Sequence, residues 1–326
     1  MAKRRKKKKS RKILILFIII AILGFSCGAY GFSLLDKIQN TKISQSDEEL
    51  GIDEDNTKSN KVINIALFGV DKRNTSERGR SDTIMIASID KEFKKIKLTS
   101  IMRDTYVDIP GRGMDKINHA YAYGGPELAI KTINQNFDMN IRDFVTVDFF
   151  GLEKIIDVIG GVEIEVKSNE VKHINKGVKQ LNKLTGTNSP QVSGPGLQKL
   201  TGRQAVSYAR IRKVGNGDFE RTDRQRRVLE KVLVEGLNAG VGKFPKLLNA
   251  MLPHVETSLS KSKILSLSTS TLTSGIREID QYRIPVDGYG KGRNIKGVYY
   301  FVPETLEENI QLLDKFIYED EKITKR

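Results

Sequence analysis

Continuous apolar runs separated by short polar segments predict a β-sheet at the start of the folded region. Residues 62–71 form one such run, which is typical of a buried strand and ends in a glycine-containing turn. Residues 83–90 and 95–102 follow as two further strands, and the polar residues 91–94 between them predict a hairpin. We therefore expect the core to begin with neighbouring strands.

Strands then alternate with helices, which indicates the α/β class. The predicted elements are helices at residues 116–123, 126–137 and 152–159, strands at 144–149 and 162–166, and a helix at 198–208. Residues 168–195 are polar and contain many lysines, so they predict a long hairpin or flap. Because the hairpin makes the sheet mixed, we expect a mixed central β-sheet flanked by helices, an α/β/α sandwich.

The C-terminal third continues this pattern without an internal repeat. It predicts a long amphipathic helix to about residue 237, helices near 244–252 and 262–272, a strand at 282–286 and a closing helix at 304–318. The glycine-rich residues 288–292 match no nucleotide fingerprint and predict a loop. We expect one domain over residues 62–319 and a short tail over residues 320–326. The polar residues 36–61 predict a tether, because they contain few apolar side chains to bury.

The N-terminus has the pattern of a membrane anchor. Residues 1–12 contain nine positive charges and no acidic residue, and residues 13–35 follow without any charge. An apolar run of this length can cross a hydrocarbon core about 30 Å thick. Basic residues before the span place the N-terminus in the cytoplasm, so we expect a single-pass transmembrane helix with the rest of the chain outside the cell. A cleaved signal peptide ending at residues 29–31 and a lipid-modified Cys27 are the alternatives.

Composition narrows the chemistry that the chain can perform. A single cysteine excludes a disulfide framework and a cysteine-based metal site. Three scattered histidines argue against a histidine-rich metal centre or a Ser/His/Asp triad. The net charge of +15 suggests nucleic acid as a partner, but the N-terminal tail supplies most of it. We therefore expect no nucleic-acid partner for an extracellular domain.

The densest group of functional side chains is the arginine-rich stretch at residues 208–227. Its six arginines, in a chain that otherwise prefers lysine, are Arg210, Arg212, Arg221, Arg224, Arg226 and Arg227. Guanidinium groups bind phosphate bidentately, whereas lysine forms an equally good solvated surface. Thr222 and Gln225 predict a capping box at the start of a helix, whose free N–H groups favour an anion. The stretch predicts a clamp for a multiply charged phosphate; a surface helix end with scattered arginines is the alternative.

Charged residues also lie where the first three strands begin or end. Asp71 closes the first strand, and Arg80 and Asp82 open the second, so two carboxylates are expected at one edge of the sheet. Such ligands suit Mg²⁺ or Mn²⁺ when substrate phosphates complete the coordination. Arg103 and Asp104 end the third strand. If these groups converge with the arginine clamp, the site has the electrostatics of phosphoryl transfer. Singly, each aspartate is alternatively a turn residue, and the Arg103–Asp104 pair a structural ion pair.

Six short motifs, in this order, resemble the LytR-CpsA-Psr (LCP) family of Gram-positive cell envelopes. The motifs are GVD, GRSDT, SIMRDTYVDIPG, KINHAYAYGG, GLQKLTGRQAVSYARIR and GDFERTDRQRRVL. The resemblance covers most of the chain from residue 62 to residue 237, together with the N-terminal anchor. It implies an extracytoplasmic phosphotransferase that moves an anionic glycopolymer, such as a teichoic acid or a capsule chain, from a polyprenyl-pyrophosphate carrier to peptidoglycan.

The resemblance also implies roles for individual residues. Asp71 and Asp82 match positions that help to hold Mg²⁺ at the pyrophosphate. The positions that contact phosphate oxygens match Arg80, Arg103, Arg210, Arg212, Arg221 and Gln225. Apolar helices over residues 228–252 are expected to line a tunnel for the isoprenoid. The attacking sugar hydroxyl needs a general base, for which Asp82 is the first candidate and Asp104 the second.

Three other functions are compatible with parts of this pattern. A polyprenyl-pyrophosphate hydrolase would use the same clamp and metal with water as the nucleophile, so only the acceptor separates it from a transferase. A non-catalytic receptor for teichoic acid or lipid phosphates leaves the paired aspartates unexplained. A DNA-binding regulator, which the net charge suggests, conflicts with the expected extracellular location.

Overall fold

The computed structural model describes residues 37–53, 58, 61–70, 79–215, 217–238, 252–273 and 278–322. Its strands and helices, in chain order, are β1 (Gln39–Asn40), α1 (Asp47–Leu50), β2 (Val62–Val70), β3 (Ser81–Asp90), β4 (Lys95–Ile101), β5 (Tyr106–Ile109), β6 (Gly113–Lys116), α2 (Ile117–Phe137), β7 (Asp143–Asp148), α3 (Phe149–Ile159), β8 (Val162–Val166), α4 (Ser168–Thr185), β9 (Gly196–Leu200), α5 (Gly202–Ala209), α6 (Asp218–Asn238), β10 (Val255–Thr257), α7 (Lys261–Thr273), β11 (Glu278–Ile284), β12 (Gly290–Ile295), β13 (Val298–Pro303) and α8 (Leu306–Tyr318).

The central sheet has seven strands in the order β1-β10-β7-β2-β3-β4-β11. β3 and β4 form the predicted hairpin, and β2 lies antiparallel to β3. β7 runs parallel to β2, and β11 runs parallel to β4. The prediction of a mixed sheet is therefore confirmed. The carboxyl ends of β2, β4, β7 and β11 share one edge with the start of β3, which is the edge where the sequence predicts functional side chains.

Helices cover both faces of the sheet, because successive residues of a buried strand point to opposite sides. Ile65 and Ala87 face a hydrophobic core that also contains apolar side chains of α3, α4, α5 and α6. Ala66 and Ile86 face a second core, which contains side chains of α2 and α8. The predicted α/β/α arrangement is confirmed by these two cores.

The polar segment predicted as a tether is part of the fold over residues 37–53. β1 lies at the edge of the sheet beside β10. The short helix α1 buries Leu50 completely in the second core, and Asn134 donates a hydrogen bond to the Leu50 carbonyl oxygen (2.9 Å). The prediction was wrong because it counted apolar side chains, whereas backbone pairing and the two buried side chains of Leu50 and Ile52 suffice to hold this segment.

Residues 168–185 form the helix α4 and not the predicted hairpin or flap. Ile174, Val178 and Leu181 recur at helical spacing and are buried, so the helix has a single apolar stripe on an otherwise polar surface. Glu170 accepts a hydrogen bond from the Lys167 backbone N–H (2.9 Å) at its N-terminus. The many lysines on the polar side concealed this periodicity.

Three other predicted boundaries differ from the structure. The helix predicted at residues 198–208 is divided, because β9 pairs with β8 and Thr201 then caps α5. α6 begins at Asp218, so Thr222 and Gln225 lie inside the helix and do not form its capping box. The loop predicted at residues 288–292 leads into the β12–β13 hairpin, which contacts the main domain through a bridge from Phe301 to Thr105.

The two ends of the chain were predicted to be a membrane anchor and a short tail. The basic tail and the membrane span predicted at residues 1–35 lie outside the described residues, as does most of the helix expected at 244–252. Across the part of the chain that the structure describes, no helix is both long enough and apolar enough to cross a bilayer. The predicted C-terminal tail begins inside the domain, because the Asp320 carboxylate lies 2.6 Å from Lys95 Nζ and 3.3 Å from Lys97 Nζ.

Candidate active site

A cavity of about 720 Å³ opens beside the first residues of β3. Its walls come from α4, the end of α5, the segment that follows α5 and the first turns of α6. The lysine and arginine side chains that line it are Lys172, Lys176, Arg210, Arg212, Lys213 and Arg221. The apolar part of the lining includes Phe149, Leu181, Leu184 and Ile211. A cavity of this composition suits a ligand that carries both phosphate and hydrocarbon.

Among the described residues that line the cavity, Asp82 is the acidic one. Arg103 Nη1 donates to Asp82 Oδ1 (2.5 Å), and Arg212 Nη2 donates to Oδ2 (3.1 Å). Arg221 Nη1 lies 4.0 Å from Oδ1. Burial alone would raise the pKa of Asp82, but the charges of Arg103, Arg221 and Arg212 and the Arg103 hydrogen bond together lower it below its ordinary value. Asp82 is therefore ionised and joins arginines from three separate segments of the chain.

Helix geometry explains how the predicted phosphate-binding residues reach the cavity. Arg210 caps the C-terminus of α5, and its guanidinium carbon lies 5.1 Å from the centre of the Phe149 ring. Arg221 and Gln225 are four residues apart on α6, so they lie on the same face of that helix, and both line the cavity. The structure thus brings Arg210, Arg212, Arg221 and Gln225 together with Asp82.

The other three arginines of the predicted clamp have structural partners. Arg224 is fully buried, and its Nε donates to Glu170 Oε1 of α4 (2.8 Å). The same guanidinium donates to the carbonyl oxygens of Ile211 (3.3 Å) and Val214 (3.4 Å), so it holds the segment that carries Arg212. Arg227 donates to the Tyr208 hydroxyl (3.1 Å), and Arg226 pairs with Asp223.

Arg103 and Asp104 connect the cavity to Lys116 at the end of β6. Arg103 binds Asp82 through Nη1, and its Nε lies 3.5 Å from Asp104 Oδ2. Asp104 is nearly buried, with 6% of its surface exposed, and its Oδ1 accepts a hydrogen bond from Lys116 Nζ (2.8 Å). The predicted ion pair is therefore one part of a chain of alternating charges that begins at Asp82 and ends at Lys116.

Of the other predicted site residues, Arg103 and Asp104 reach the cavity only through Asp82, and Arg80 also lies outside its walls. Arg80 is exposed and does not line the cavity. A hydrogen bond to Asp115 raises the pKa of Tyr123, and the charge of Arg80 opposes that change, which places Arg80 near Tyr123. Asp71 lies outside the described residues.

The expected magnesium site can be compared with the donors that are present. The described residues contain no group of three or more His, Cys, Asp or Glu side chains arranged to hold a metal ion. Asp82 contributes one carboxylate, whose oxygens also accept hydrogen bonds from Arg103 and Arg212. Mg²⁺ binds through one or two carboxylates and completes its coordination with water and substrate phosphates. This donor set fits an ion that binds together with a phosphate ligand.

Sequence reasoning missed the wall formed by α4. Lys172 and Lys176 are one helical turn apart and face the cavity together with His173 and Leu184. The spacing of these residues could have revealed the wall, because they all lie on one side of the apolar stripe of α4. Conversely, Val228 and Val232 of the predicted isoprenoid tunnel are buried in the hydrophobic core. The cavity takes its described apolar lining mainly from α3 and α4.

Comparison with known proteins gives a consistent set of relatives. The sequence profile of the LytR_cpsA_psr family matches residues 28–314. TagU of Oceanobacillus iheyensis, a polyisoprenyl-teichoic acid--peptidoglycan teichoic acid transferase, is 34% identical over 260 residues, which cover 77% of this chain and 74% of that protein. The solved structure of TagT bound to LI-WTA has a TM-score of 0.65 and 25% identity, and the match covers 86% of this chain and 99% of that one. The LytR-CPS2A-psr family protein YwtF (TagT) with bound octaprenyl pyrophosphate lipid has the same fold, with a TM-score of 0.60, 23% identity and coverage of 85% of this chain and 99% of that one.

Proposed function

This chain belongs to the LytR-CpsA-Psr family, as its motifs predicted, and we propose that it is a phosphotransferase that moves an anionic glycopolymer of the teichoic-acid type from a polyprenyl-pyrophosphate carrier to peptidoglycan. The observation that carries this proposal is the cavity beside Asp82, where guanidinium groups and apolar side chains line the same space. A polyprenyl pyrophosphate presents both kinds of surface in one molecule. The transferase activity for which TagU is named and the ligand in the TagT structure support the same substrate class.

The arginines bind the pyrophosphate in this proposal. Arg210, Arg212 and Arg221 donate to its non-bridging oxygens, and Gln225 adds a neutral donor from the next turn of α6. The Asp82 carboxylate holds Arg103 and Arg212 close together, so their charges already point to one position. Preorganised charge of this kind stabilises the additional negative charge that develops on phosphate oxygens during transfer.

The apolar lining binds the first isoprene units of the carrier. Phe149 lies under the Arg210 guanidinium, and Leu181 and Leu184 extend from it along α4. Leu184 leaves 61% of its surface exposed and lines the cavity. A hydrocarbon chain that leaves the pyrophosphate along α4 would cover Leu184.

In the proposed reaction, a sugar hydroxyl of peptidoglycan attacks the phosphorus that bears the glycopolymer. A bond forms between the hydroxyl oxygen and this phosphorus, while the bond from the same phosphorus to the bridging oxygen breaks. Polyprenyl phosphate leaves with that oxygen, and the hydroxyl proton passes to a carboxylate. We assign this proton to Asp104, because both oxygens of Asp82 already accept hydrogen bonds from arginines.

Mg²⁺ is part of the proposal as an ion that binds with the pyrophosphate. Asp82 would hold it, with Asp71 as the second carboxylate, and Mn²⁺ has the same ligand preference. The ion would neutralise charge on the phosphate oxygens.

We further propose that residues 13–35 anchor the protein as a single transmembrane helix, with the catalytic domain on the outer side of the cell membrane. The nine basic residues that precede this uncharged run support that orientation. The anchor would keep the cavity within reach of a carrier that is itself embedded in the membrane.

The decisive experiment uses the full-length protein in detergent, a polyprenyl-pyrophosphate glycan and peptidoglycan oligomers, with Mg²⁺ or with a chelator. We expect a phosphodiester-linked product that forms only when both substrates and Mg²⁺ are present. Release of free glycan at the same rate without peptidoglycan would identify a hydrolase instead. Binding of the carrier without any turnover would identify a receptor.

A further inference from the structure

A second cluster of polar and aromatic side chains lies beyond Lys116, on the β5–β6 hairpin, the first turns of α2 and β13. We call it the acceptor surface and define it by Arg112, Asp115, His119, Tyr123 and Tyr300. Asp115 accepts hydrogen bonds from His119 Nδ1 (2.7 Å) and the Tyr123 hydroxyl (2.8 Å). Burial raises the pKa of Asp115, but these two bonds and that of the Lys116 backbone lower it overall, so it is a charged acceptor.

Two tyrosine rings are fixed at this surface. Tyr123 leaves 42% of its surface exposed although its hydroxyl is held by Asp115, and the Arg112 guanidinium carbon lies 5.2 Å from its ring centre. The Tyr300 ring contacts Tyr106 with 4.8 Å between ring centres, and Lys116 Nζ lies 5.5 Å from the Tyr300 ring. An exposed aromatic ring with restrained orientation costs little entropy to use in binding.

The acceptor surface is connected to the reaction centre by residues that contact one another. Lys116 follows Asp115 in the chain, and its Nζ donates to Asp104 Oδ1 (2.8 Å). Asp104 lies beside Arg103, and Arg103 binds Asp82. The cavity lined by α4 begins at Asp82, and none of the five residues of the acceptor surface lines it. The two sites therefore meet at Asp82, Arg103 and Asp104.

We propose that this surface binds the acceptor, as a pyranose sugar of a glycan strand that carries a nearby carboxylate. This inference rests on the proposed transfer reaction, and it places the second substrate on named residues. Tyr123 contacts the face of the sugar ring. Asp115 and His119 bind its hydroxyl groups, and Arg112 binds the carboxylate.

The chemistry of the surface favours such a ligand. A sugar ring presents C–H groups on its faces and hydroxyl groups on its rim, which an exposed tyrosine and a charged, hydrogen-bonded carboxylate complement. Arg112 provides a forked pair of donors for a carboxylate. In-line displacement also requires the nucleophile to approach the phosphorus from the side opposite to the leaving oxygen. A carrier in the cavity and a sugar on the acceptor surface would approach Asp82, Arg103 and Asp104 from different sides, with Asp104 between them to accept the proton.

The test measures binding and turnover of the full-length protein in detergent with a soluble peptidoglycan disaccharide-peptide. We expect Tyr123→Ala to weaken binding of this fragment, and to raise its KM, about tenfold, the loss typical of one well-packed aromatic contact. Tyr123→Phe keeps the ring and should retain most of the affinity. Binding of the polyprenyl-pyrophosphate glycan should be unchanged in both variants, because neither alters the cavity.

Tyr299→Ala provides the matched control. Tyr299 is as exposed as Tyr123 (44% and 42%) and is the neighbour of Tyr300 on β13. Because successive residues of a strand point to opposite sides, Tyr299 faces away from the acceptor surface. We expect it to bind the fragment as the parent does. Arg112→Ala should weaken binding of the fragment with free carboxylates and leave binding of its amidated form unchanged.

The outcomes separate this inference from the proposed function. Parent-like fragment binding by Tyr123→Ala would refute the acceptor surface even if transfer is observed. If the parent binds the fragment, Tyr123→Ala does not, and no transfer occurs with any carrier, then the surface is supported and the transferase proposal fails. Loss of carrier binding in Tyr123→Ala would also count against the inference, because it would show a general defect of the domain.

Discussion

Glu170 and Arg224 form a buried ion pair whose removal should affect both folding and the shape of the cavity. Each side chain leaves 1% of its surface exposed, and Arg224 Nε lies 2.8 Å from Glu170 Oε1. Arg224 Nη2 also lies 2.7 Å from Glu220 Oε2. The pair joins α4 to α6, which form opposite walls of the cavity, and Arg224 holds the intervening segment through two carbonyl oxygens.

Glu170→Gln preserves the shape of the side chain and removes its charge. Breaking a buried ion pair costs about 3–5 kcal/mol of stability. Because Arg224 keeps Glu220 as a partner in this variant, we expect a cost of about 3 kcal/mol. For a domain of this size, such a loss lowers the melting temperature by roughly 5–10 °C. Thermal unfolding of parent and variant, followed by circular dichroism, measures this effect. Glu92→Gln is the control, because the Lys61–Glu92 pair is exposed (64% and 53%) and should contribute nothing measurable.

Arg224→Lys separates the role in positioning from the role in stability. Lysine keeps the positive charge but cannot reach Glu170, Glu220 and both carbonyl oxygens at once. We expect the segment that carries Arg212 to become less well positioned, so KM for the carrier should rise at temperatures where the variant is fully folded. A Glu170→Gln protein that melts with the parent, or a folded Arg224→Lys protein with unchanged KM for the carrier, would show that this pair does not hold the cavity together.

Three further expectations concern the site directly. Lysine in place of Arg210, Arg212 or Arg221 should reduce the transfer rate about ten- to a hundredfold, because each change forfeits a charge-assisted hydrogen bond worth roughly 1.5–3 kcal/mol. The control is Lys179→Ala, which changes an exposed residue and should have no effect on transfer. If all three lysine variants transfer glycan as fast as the parent, a diffuse basic surface is the better account. Asp82→Asn should abolish Mg²⁺-dependent turnover in a folded protein, and it should also remove one component of acid destabilisation. The folded-state pKa of Asp82 lies below 3.8, so its ionisation stabilises the parent above pH 3.8, and this stabilisation is lost as the pH falls through the folded-state value; identical acid unfolding curves for parent and variant would contradict this. Gly177→Ala should reduce carrier binding, because its Cβ would lie 2.9 Å from Ser207 Cβ and force α4 away from α5; unchanged carrier affinity would show that the cavity tolerates the shift.

Periodicity and charge placement predicted the sheet and the edge that bears the site. β2 is almost entirely apolar, β3 contains a short apolar run bounded by polar residues, and β4 begins with alternating polar and apolar residues, so tertiary contacts could hardly change their assignment. Charged residues such as Asp82 and Arg103 stand where those strands begin or end, and a sheet brings such positions together. The convergence of Asp82 and Arg103 was predictable for that reason.

Other features depend on partners distant in sequence. Six neighbouring arginines look equivalent, yet Arg224 is structural because Glu170, 54 residues earlier, reaches it across the core. Residues 37–53 looked like a tether because their stabilisation comes from β10, more than two hundred residues later. The family resemblance implies that Arg80 contacts phosphate, whereas in the structure its charge acts on Tyr123. Local composition carries no information about any of these contacts.

The early pairing of β1 limits how far the domain can stand from the membrane. β1 begins at Gln39, and the proposed anchor ends at residue 35. Four residue steps of at most about 3.5 Å allow a separation of no more than about 14 Å between the outer end of the anchor and the edge of the sheet. With the proposed anchor in the membrane, this edge of the sheet would stay close to the lipid head groups, and the domain would be confined to the part of the cell envelope that adjoins the membrane.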